Sequence, residues 1–204
     1  PYENADWPEV EKAKAAAITR LDSYVGRILE RLKQQGLDRN TVVFFSSDNG
    51  PHHEGGVDPE ILDSNGALQG TKRDLYEGGI RTPFLAYWPG TIAAGSESDH
   101  ISAFWDVLPT LAELADAQIP DGIDGISMVP TLLGKGRQRK HDYLYWEFHE
   151  GNSKQAVRVG KWKAIQLAPS EPIALYNLDR DLGETKNLAA EHPEIVARAE
   201  AIFQ

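Results

Sequence analysis

The feature that most constrains the fold of this chain is a long polar segment, residues 46–79, between two short apolar runs. The segment holds seven of the chain's 18 glycines and few apolar side chains. The flanking runs, residues 41–45 and 83–87, are rich in β-branched and aromatic residues without alternation, which is typical of strands covered on both faces in a parallel sheet. A loop of this length inside a compact domain is usually functional or disordered, and the glycine content and polar variety of this one favour function. The sequence therefore predicts an α/β fold with polar residues gathered beyond the end of a strand.

The rest of the chain predicts helices and a second sheet. Apolar side chains recur at steps of three and four through residues 10–32, the pattern of a helix with one apolar face, and Gly36 is placed to end it. Residues 106–115 predict a shorter helix. Four short runs separated by turn residues predict strands at residues 143–148, 155–159, 162–167 and 173–177.

The change of pattern near residue 135 predicts two domains. We expect residues 1–135 to belong to a catalytic α/β domain. Residues 136–204 are expected to form a small antiparallel sheet, with Gly160-Lys161 as a hairpin turn and a terminal helix from about residue 191 to about 203.

Composition excludes several classes of protein. With 31 acidic and 21 basic residues the net charge is −10, a poor balance for binding nucleic acid. The absence of cysteine excludes disulfides, thiolate metal sites and a nucleophile derived from cysteine. No apolar stretch approaches the length of a membrane span, so we expect no membrane partner. The chain opens at Pro1 rather than at a methionine, which favours a piece of a longer protein.

The tripeptide Asp48-Asn49-Gly50 directly follows the first predicted strand. A carboxylate beside an amide carbonyl offers two hard oxygen ligands, which suit Ca²⁺ or Mg²⁺ better than a soft metal. The same tripeptide is also an ideal turn. The local sequence leaves both interpretations open.

Two histidines, His52 and His53, come next, with Glu54 beside them. Adjacent side chains point in different directions on an extended chain, so at most one imidazole is expected to face a site. A neutral imidazole can bind a metal, donate a proton or hydrogen-bond to an anionic substrate. A bare pair in a loop is also common on protein surfaces. We take His52 as the candidate catalytic residue of the pair.

The glycine-bounded segment that leads into the second strand carries two cations, Lys72 and Arg73. A lysine there can offer a point charge to a sulfate or phosphate, while an arginine can place its planar fork on an anion. The other interpretation is that Arg73 joins Asp74, Glu77 and Arg81 in ion pairs that only hold the loop.

Several separated motifs resemble the second half of the type I sulfatases, which belong to the alkaline-phosphatase-like superfamily. In chain order they are Leu21-Asp22-x-x-Val25-Gly26, Ser47-Asp48-Asn49-Gly50, Gly70-x-Lys72-x-x-x-x-Glu77-Gly78-Gly79-Ile80-Arg81-x-Pro83, Trp88-Pro89-Gly90 and Leu175-Tyr176-Asn177-Leu178-Asp179-x-Asp181-x-Gly183-Glu184-Thr185-x-Asn187-Leu188. The resemblance covers essentially the whole chain. It implies a partial alkaline-phosphatase-like sheet with flanking helices, followed by the small antiparallel sheet and terminal helix.

The resemblance implies a sulfuric ester hydrolase that uses Ca²⁺. Asp48 and Asn49 match the family's calcium ligands, and Lys72 matches a lysine that contacts the substrate sulfate. The implied substrate is a sulfated small molecule or glycan, most simply a sulfated carbohydrate or an aryl sulfate. The implied location is periplasmic or secreted.

The family's nucleophile is a formylglycine made from the first residue of a Cys/Ser-x-Pro-x-Arg motif, and this sequence has no such motif. Ser170-Glu171-Pro172 comes nearest, but Ala174 stands where arginine is required. We therefore expect the C-terminal half of a sulfatase, inactive alone, whose partner is the N-terminal half of the same protein. The alternatives are a phosphatase or phosphodiesterase of the same superfamily and a non-catalytic binding module.

Overall fold

A computed structural model describes all 204 residues and contains five α-helices and six β-strands. In chain order the elements are α1 (Glu9–Gln34), β1 (Val43–Ser46), α2 (Glu77–Ile80), β2 (Phe84–Tyr87), α3 (Val107–Leu114), α4 (Val129–Leu133), β3 (Leu144–Phe148), β4 (Lys154–Val159), β5 (Trp162–Gln166), β6 (Ala174–Asn177) and α5 (Pro193–Phe203). None of the helices combines the length and the apolar character that crossing a membrane requires. The mixed α/β class expected from the sequence is confirmed.

The chain forms two compact units, each built from separate segments. The first contains residues 1–30, 46–84 and 145–204, and the second contains residues 31–45 and 85–144. The polar segment of the sequence thus belongs to the same unit as the C-terminal sheet. The domain boundary at residues 135 and 136 does not coincide with these units, and it stays a prediction.

The first unit is organised around a four-stranded antiparallel sheet in the order β3-β4-β5-β6. The hairpin turn falls at Gly160-Lys161 as predicted, since Val159 pairs with Trp162 across it. One face of the sheet packs against α5 through a buried apolar cluster of Val157, Ala164, Ile173, Leu175 and Ala199.

The other face of this sheet holds the polar segment in place. Leu75 is 4% exposed and packs with Ala156, Ile165 and Tyr176 in a second buried cluster. Since Leu75 lies three residues after Lys72, this contact fixes the candidate cationic segment to the sheet. The bounds predicted for the four strands of this sheet agree with the structure to within one residue.

The sheet of β1 and β2 differs from the expectation. Ser46 at the end of β1 donates a hydrogen bond to Pro83 O just before β2 begins (2.7 Å), and the two strands run antiparallel rather than parallel. The expectation of strands covered on both faces is also wrong, because Leu85 of β2 is 62% exposed. Side chains project from the faces of a sheet, so this exposure shows that no layer of the chain covers that face of β2.

The long helix α1 has the predicted amphipathic sequence, but the apolar face is not covered. Leu21, Tyr24 and Ile28 are 48%, 49% and 58% exposed, while Glu11 is fully buried. The Glu11 carboxylate accepts a hydrogen bond from Asp58 N (2.7 Å) and lies 2.9 Å from Lys14 Nζ, which compensates its burial. Gly36, with φ of +66°, ends the helix region as predicted.

Candidate active site

Two loops of the first unit meet at Gly50, which allows their backbones to touch. Gly50 N donates a hydrogen bond to Gly79 O (3.0 Å). A Cβ atom on residue 50 would lie 1.7 Å from Gly78 O, so a side chain cannot be accommodated there. The Asp48-Asn49-Gly50 tripeptide is therefore more than an isolated turn, since its glycine joins the loop after β1 to the start of α2.

A second backbone contact joins the same loops near Lys72. Lys72 N donates to Pro51 O at 2.7 Å. Gly78 N donates to Gln69 O at 2.7 Å, which closes residues 69–78, called the Lys72 segment below, into a loop. Asp74 contributes by accepting from Thr71 N (2.9 Å). The structure thus brings together the two loops that carry the sequence-predicted site residues.

Asp48 and Asn49 offer oxygen ligands at the end of β1. The Asp48 carboxylate is exposed and has no hydrogen bond or ion pair with the protein. Asn49 Nδ2 donates to Gly50 O (2.8 Å), so its amide nitrogen is engaged and its Oδ1 is left as a free acceptor. The chain gathers no group of three or more His, Asp or Glu side chains around a common point. These two residues therefore fit part of a coordination shell for a hard cation that needs 6–8 oxygen ligands.

Lys72 lies in a local charge network. Its Nζ lies 3.0 Å and 3.1 Å from the two carboxylate oxygens of Glu54. Arg73 contacts Glu54 through Nη1 and Glu150 through Nε, both at 2.7 Å. Hydrogen bonds from Arg73 and from Lys72 lower the pKa of Glu54 to about 2, so the carboxylate is ionised at neutral pH.

These contacts separate the roles of the two cations. The Arg73 guanidinium bridges two carboxylates from different loops, so it holds the loop as the second interpretation expected, but its partners are Glu54 and Glu150 and not Asp74 or Glu77. An ammonium group has three donors, and Glu54 faces Lys72 with two oxygens, so Lys72 keeps a donor for an external anion. Lys72 is also less exposed than Arg73, at 30% against 42% of the side chain.

The two adjacent histidines differ in burial and in hydrogen bonding. His52 is half-buried and its Nδ1 accepts a hydrogen bond from Glu54 N (3.0 Å), whereas His53 is exposed. An acceptor Nδ1 carries no proton, so the neutral ring of His52 has its proton on Nε2. Of the two, His52 has the fixed orientation, and its catalytic assignment stays a prediction.

Sequence reasoning did not assign roles to the carboxylates that surround the two cations. In the sequence Glu54 stands only beside the histidines, and Glu150 lies 77 residues from Arg73. Nothing in a local pattern indicates such a long-range pair. The polar loop that holds Glu150, between β3 and β4, was the only available signal.

Asp106 and His141 lie in the second unit. Asp106 is fully buried and accepts from Ala103 N (2.8 Å) and Ile126 N (2.7 Å), while His141 Nε2 lies 2.8 Å from its Oδ1. Both Asp106 carboxylate oxygens accept hydrogen bonds, so this residue joins separate backbone segments of the second unit.

Comparison with known proteins supports the family resemblance. The model of the Sulfatase family matches residues 3–117, and that of the N-sulphoglucosamine sulphohydrolase C-terminal region matches residues 70–200. Arylsulfatase A of Bos taurus is 34% identical over 90% of this chain and 40% of its own length. N-acetylgalactosamine-6-sulfatase of Mus musculus is 38% identical over 72% of this chain and 28% of its own length.

A solved structure agrees with the sequence matches. Ps i-CgsB, crystallised with k-i-k-neocarrahexaose, superposes with a TM-score of 0.84 at 28% identity, over 96% of this chain and 43% of its own. The chain spans 40%, 28% and 43% of the length of these three proteins, which is less than half of each. The two family models overlap at residues 70–117 and together cover residues 3–200 of the chain. By these matches the chain belongs to the sulfatase family.

Proposed function

We propose that this chain is the C-terminal half of a sulfatase that hydrolyses sulfate esters with the help of calcium in the intact parent protein. The substrate class is a sulfated carbohydrate or an aryl sulfate, in keeping with relatives named N-acetylgalactosamine-6-sulfatase and arylsulfatase A. The family resemblance also supports a periplasmic or secreted location for the parent.

The observation that carries the proposal is the junction of the two loops. The backbone bonds at Gly50–Gly79 and Pro51–Lys72 hold a pair of hard oxygen ligands and a half-buried ammonium group on adjoining segments. A sulfate ester presents an anionic group that both a metal ion and an ammonium group can bind.

The role proposed for Lys72 follows from the charge that develops during the reaction. Negative charge grows on the ester oxygens as the S–O bond breaks, so a fixed ammonium stabilises the transition state more than the bound ester. Glu54 and the Pro51 contact hold Lys72 in position before the substrate arrives. When bound, calcium held in part by Asp48 and Asn49 would neutralise charge on the sulfate oxygens.

The remaining parts of the site are proposed to come from the N-terminal half of the same protein. No residue of this chain lies in a Cys/Ser-x-Pro-x-Arg motif, so the nucleophile must be supplied by the other half. Exposed apolar side chains on α1 and on β2 are consistent with surfaces that another protein segment covers. Partial coverage of the matched sulfatases supports the same interpretation.

The proposal is tested by comparing the purified chain with the intact parent on an aryl sulfate and on an aryl phosphate. We expect the parent to hydrolyse the sulfate ester with a clear preference over the phosphate. The chain alone should show no turnover above that of its Asp48→Ala variant. Turnover by the chain itself, or a parent that prefers the phosphate ester, would show that the proposal is wrong.

A further inference from the structure

The C-terminal motif Asp181-x-Gly183-Glu184-Thr185 forms a turn that the proposed chemistry does not use. Asp181 carboxylate oxygens accept from Thr185 N and Lys186 N, both at 2.8 Å, which closes the turn on itself. Glu184 lies in this turn with φ of +53°, a backbone conformation rare for a residue with a side chain. Its side chain is buried, with 2% of the residue exposed. A strained residue with a buried carboxylate calls for an explanation.

The turn contacts the Lys72 segment at both of its ends. Glu184 Oε2 accepts a hydrogen bond from Glu77 N (2.7 Å), at the first residue of α2. The side-chain amide of Gln69 is placed to donate to Gly183 O (3.0 Å) and Glu184 O (2.9 Å). These anchor points lie three residues before and five residues after Lys72, so the turn clamps the segment that presents its ammonium.

A buried charge network strengthens the clamp at the Glu77 end. Lys163 of β5 is fully buried, with Nζ 2.9 Å from Glu77 Oε1 and 3.7 Å from Glu184 Oε1. Arg158 Nη1 lies 3.4 Å from Glu77 Oε2, and the ring of Trp146 lies against the Lys163 ammonium at 5.5 Å.

Such a network fixes geometry more than it adds stability. Burying two carboxylates and an ammonium carries a large desolvation cost, which their mutual attraction only partly returns. Buried charges with directional bonds do, however, leave the segment few alternative positions. Lys163 lies on β5 on the same side as Ile165, which packs with Leu75, so the apolar and ionic anchors of the segment share one face of the sheet.

We propose that Glu184 is a positioning residue for Lys72, and that the C-terminal turn holds the Lys72 segment in the geometry needed to bind the sulfate ester. The inference rests on the proposed function for the role of Lys72. The structural part, that the turn restrains the segment, can be tested without any activity.

The structural test is amide hydrogen exchange on this chain with Glu184→Gln at about pH 8, above the pKa of Glu184, where the change keeps the shape of the side chain and removes its charge. We expect exchange at the amides of Lys72 and Gly78 to accelerate about tenfold, while the amides of the β4–β5 ladder keep their rates. The matched control is Glu191→Gln, an exposed glutamate that pairs only with Lys186 at 3.1 Å. Unchanged exchange at Lys72 and Gly78 would overturn the inference.

A second variant covers the case in which Glu184→Gln fails to fold. Gln69→Ala removes the contacts at the other end of the segment and buries no unpaired charge, because Gln69 is exposed. It should accelerate exchange at Lys72 by a smaller factor and leave the β4–β5 ladder unchanged. Exchange at Lys72 that stays at the rate of the unaltered chain would contradict the clamp.

The kinetic test uses the intact parent and a double-mutant cycle. Glu184→Gln should lower kcat/KM for an aryl sulfate by about 10–10²-fold, and Glu184→Asp should restore part of it. In the background of Lys72→Ala the same change should have little further effect, because it acts through Lys72. If Lys72→Ala lowers activity but Glu184→Gln adds its full effect on top, the positioning role is wrong. If Lys72→Ala has no effect, the proposed function of Lys72 fails, and hydrogen exchange alone decides whether the turn restrains the segment.

Discussion

The junction of the two loops predicts that alanine at position 50 is strongly destabilising although it adds only one methyl group. The new Cβ would lie 1.7 Å from Gly78 O and 3.2 Å from Gly79 Cα, whereas ordinary contact begins at about 3.4 Å. Both neighbours are backbone atoms, so no side-chain rotation can relieve the clash. One loop must move by more than 1 Å, and this breaks the Gly50 N to Gly79 O hydrogen bond.

The expected loss follows from these two effects. Overpacking costs about 1–3 kcal/mol and a lost backbone hydrogen bond about 0.5–1.5 kcal/mol, so the free energy of unfolding should fall by about 2–4 kcal/mol. With a urea m-value of about 2 kcal/mol/M, the midpoint should fall by about 1–2 M. The chain's five tryptophans allow the unfolding to be followed by fluorescence.

A matched variant distinguishes the clash from a general effect of replacing glycine. Gly26 lies within α1, and a Cβ there meets no atom within 4 Å. Gly26→Ala should raise the free energy of unfolding by about 0.5–1 kcal/mol, because alanine is the better helix former. If Gly50→Ala unfolds at the same urea concentration as the unaltered chain, the loops are not joined as described.

Two further predictions concern the charged groups. Because Asp48 and Asn49 supply only part of a coordination shell, the chain should bind Ca²⁺ with a Kd of roughly millimolar or weaker by calorimetry; micromolar binding that Asp48→Asn abolishes would show a self-contained site. Burial raises the pKa of Glu184 from 4.5 to about 7, so between these values the folded chain holds a proton that the unfolded chain has lost. The contribution of this group to the free energy of unfolding therefore falls as pH rises through that window. The urea midpoint of Glu184→Gln should rise relative to that of the unaltered chain as pH increases from about 5 to about 7.5. A difference between the two midpoints that does not change with pH would contradict the raised pKa of Glu184.

Local patterns in the sequence predict the secondary structure of the C-terminal part well. The strands around the Gly160-Lys161 turn follow from β-rich runs punctuated by turn residues, and both are properties of neighbouring residues. The long helix follows in the same way from the spacing of its apolar side chains. The same spacing did not predict that Leu21 and Ile28 are exposed, since exposure depends on what else packs against the helix.

Long-range charge contacts escape such reasoning. Lys163 is fully buried, although nothing in the sequence of β5 indicates a buried charge, and its partner Glu77 lies 86 residues away. Local chemistry indicates Asp48, Asn49 and Lys72 as candidates, but each motif also has a simple structural interpretation, and only the family resemblance favours a site. Their roles stay predictions, and the structure adds that the two loops carrying them are joined.

The central claim is that Lys72 contacts the sulfate ester while its neighbour Arg73 holds the loop. Steady-state kinetics of the intact parent on an aryl sulfate tests this claim directly. Lys72→Ala should lower kcat/KM by about 10²–10³-fold, comparable to the loss of one oxyanion donor, and Lys72→Arg should restore little of it. Arg73→Ala should cost much less, because its guanidinium is occupied by Glu54 and Glu150. If Lys72→Ala keeps kcat/KM near that of the parent and Arg73→Ala abolishes turnover, the anion contact belongs to Arg73 and the account is wrong.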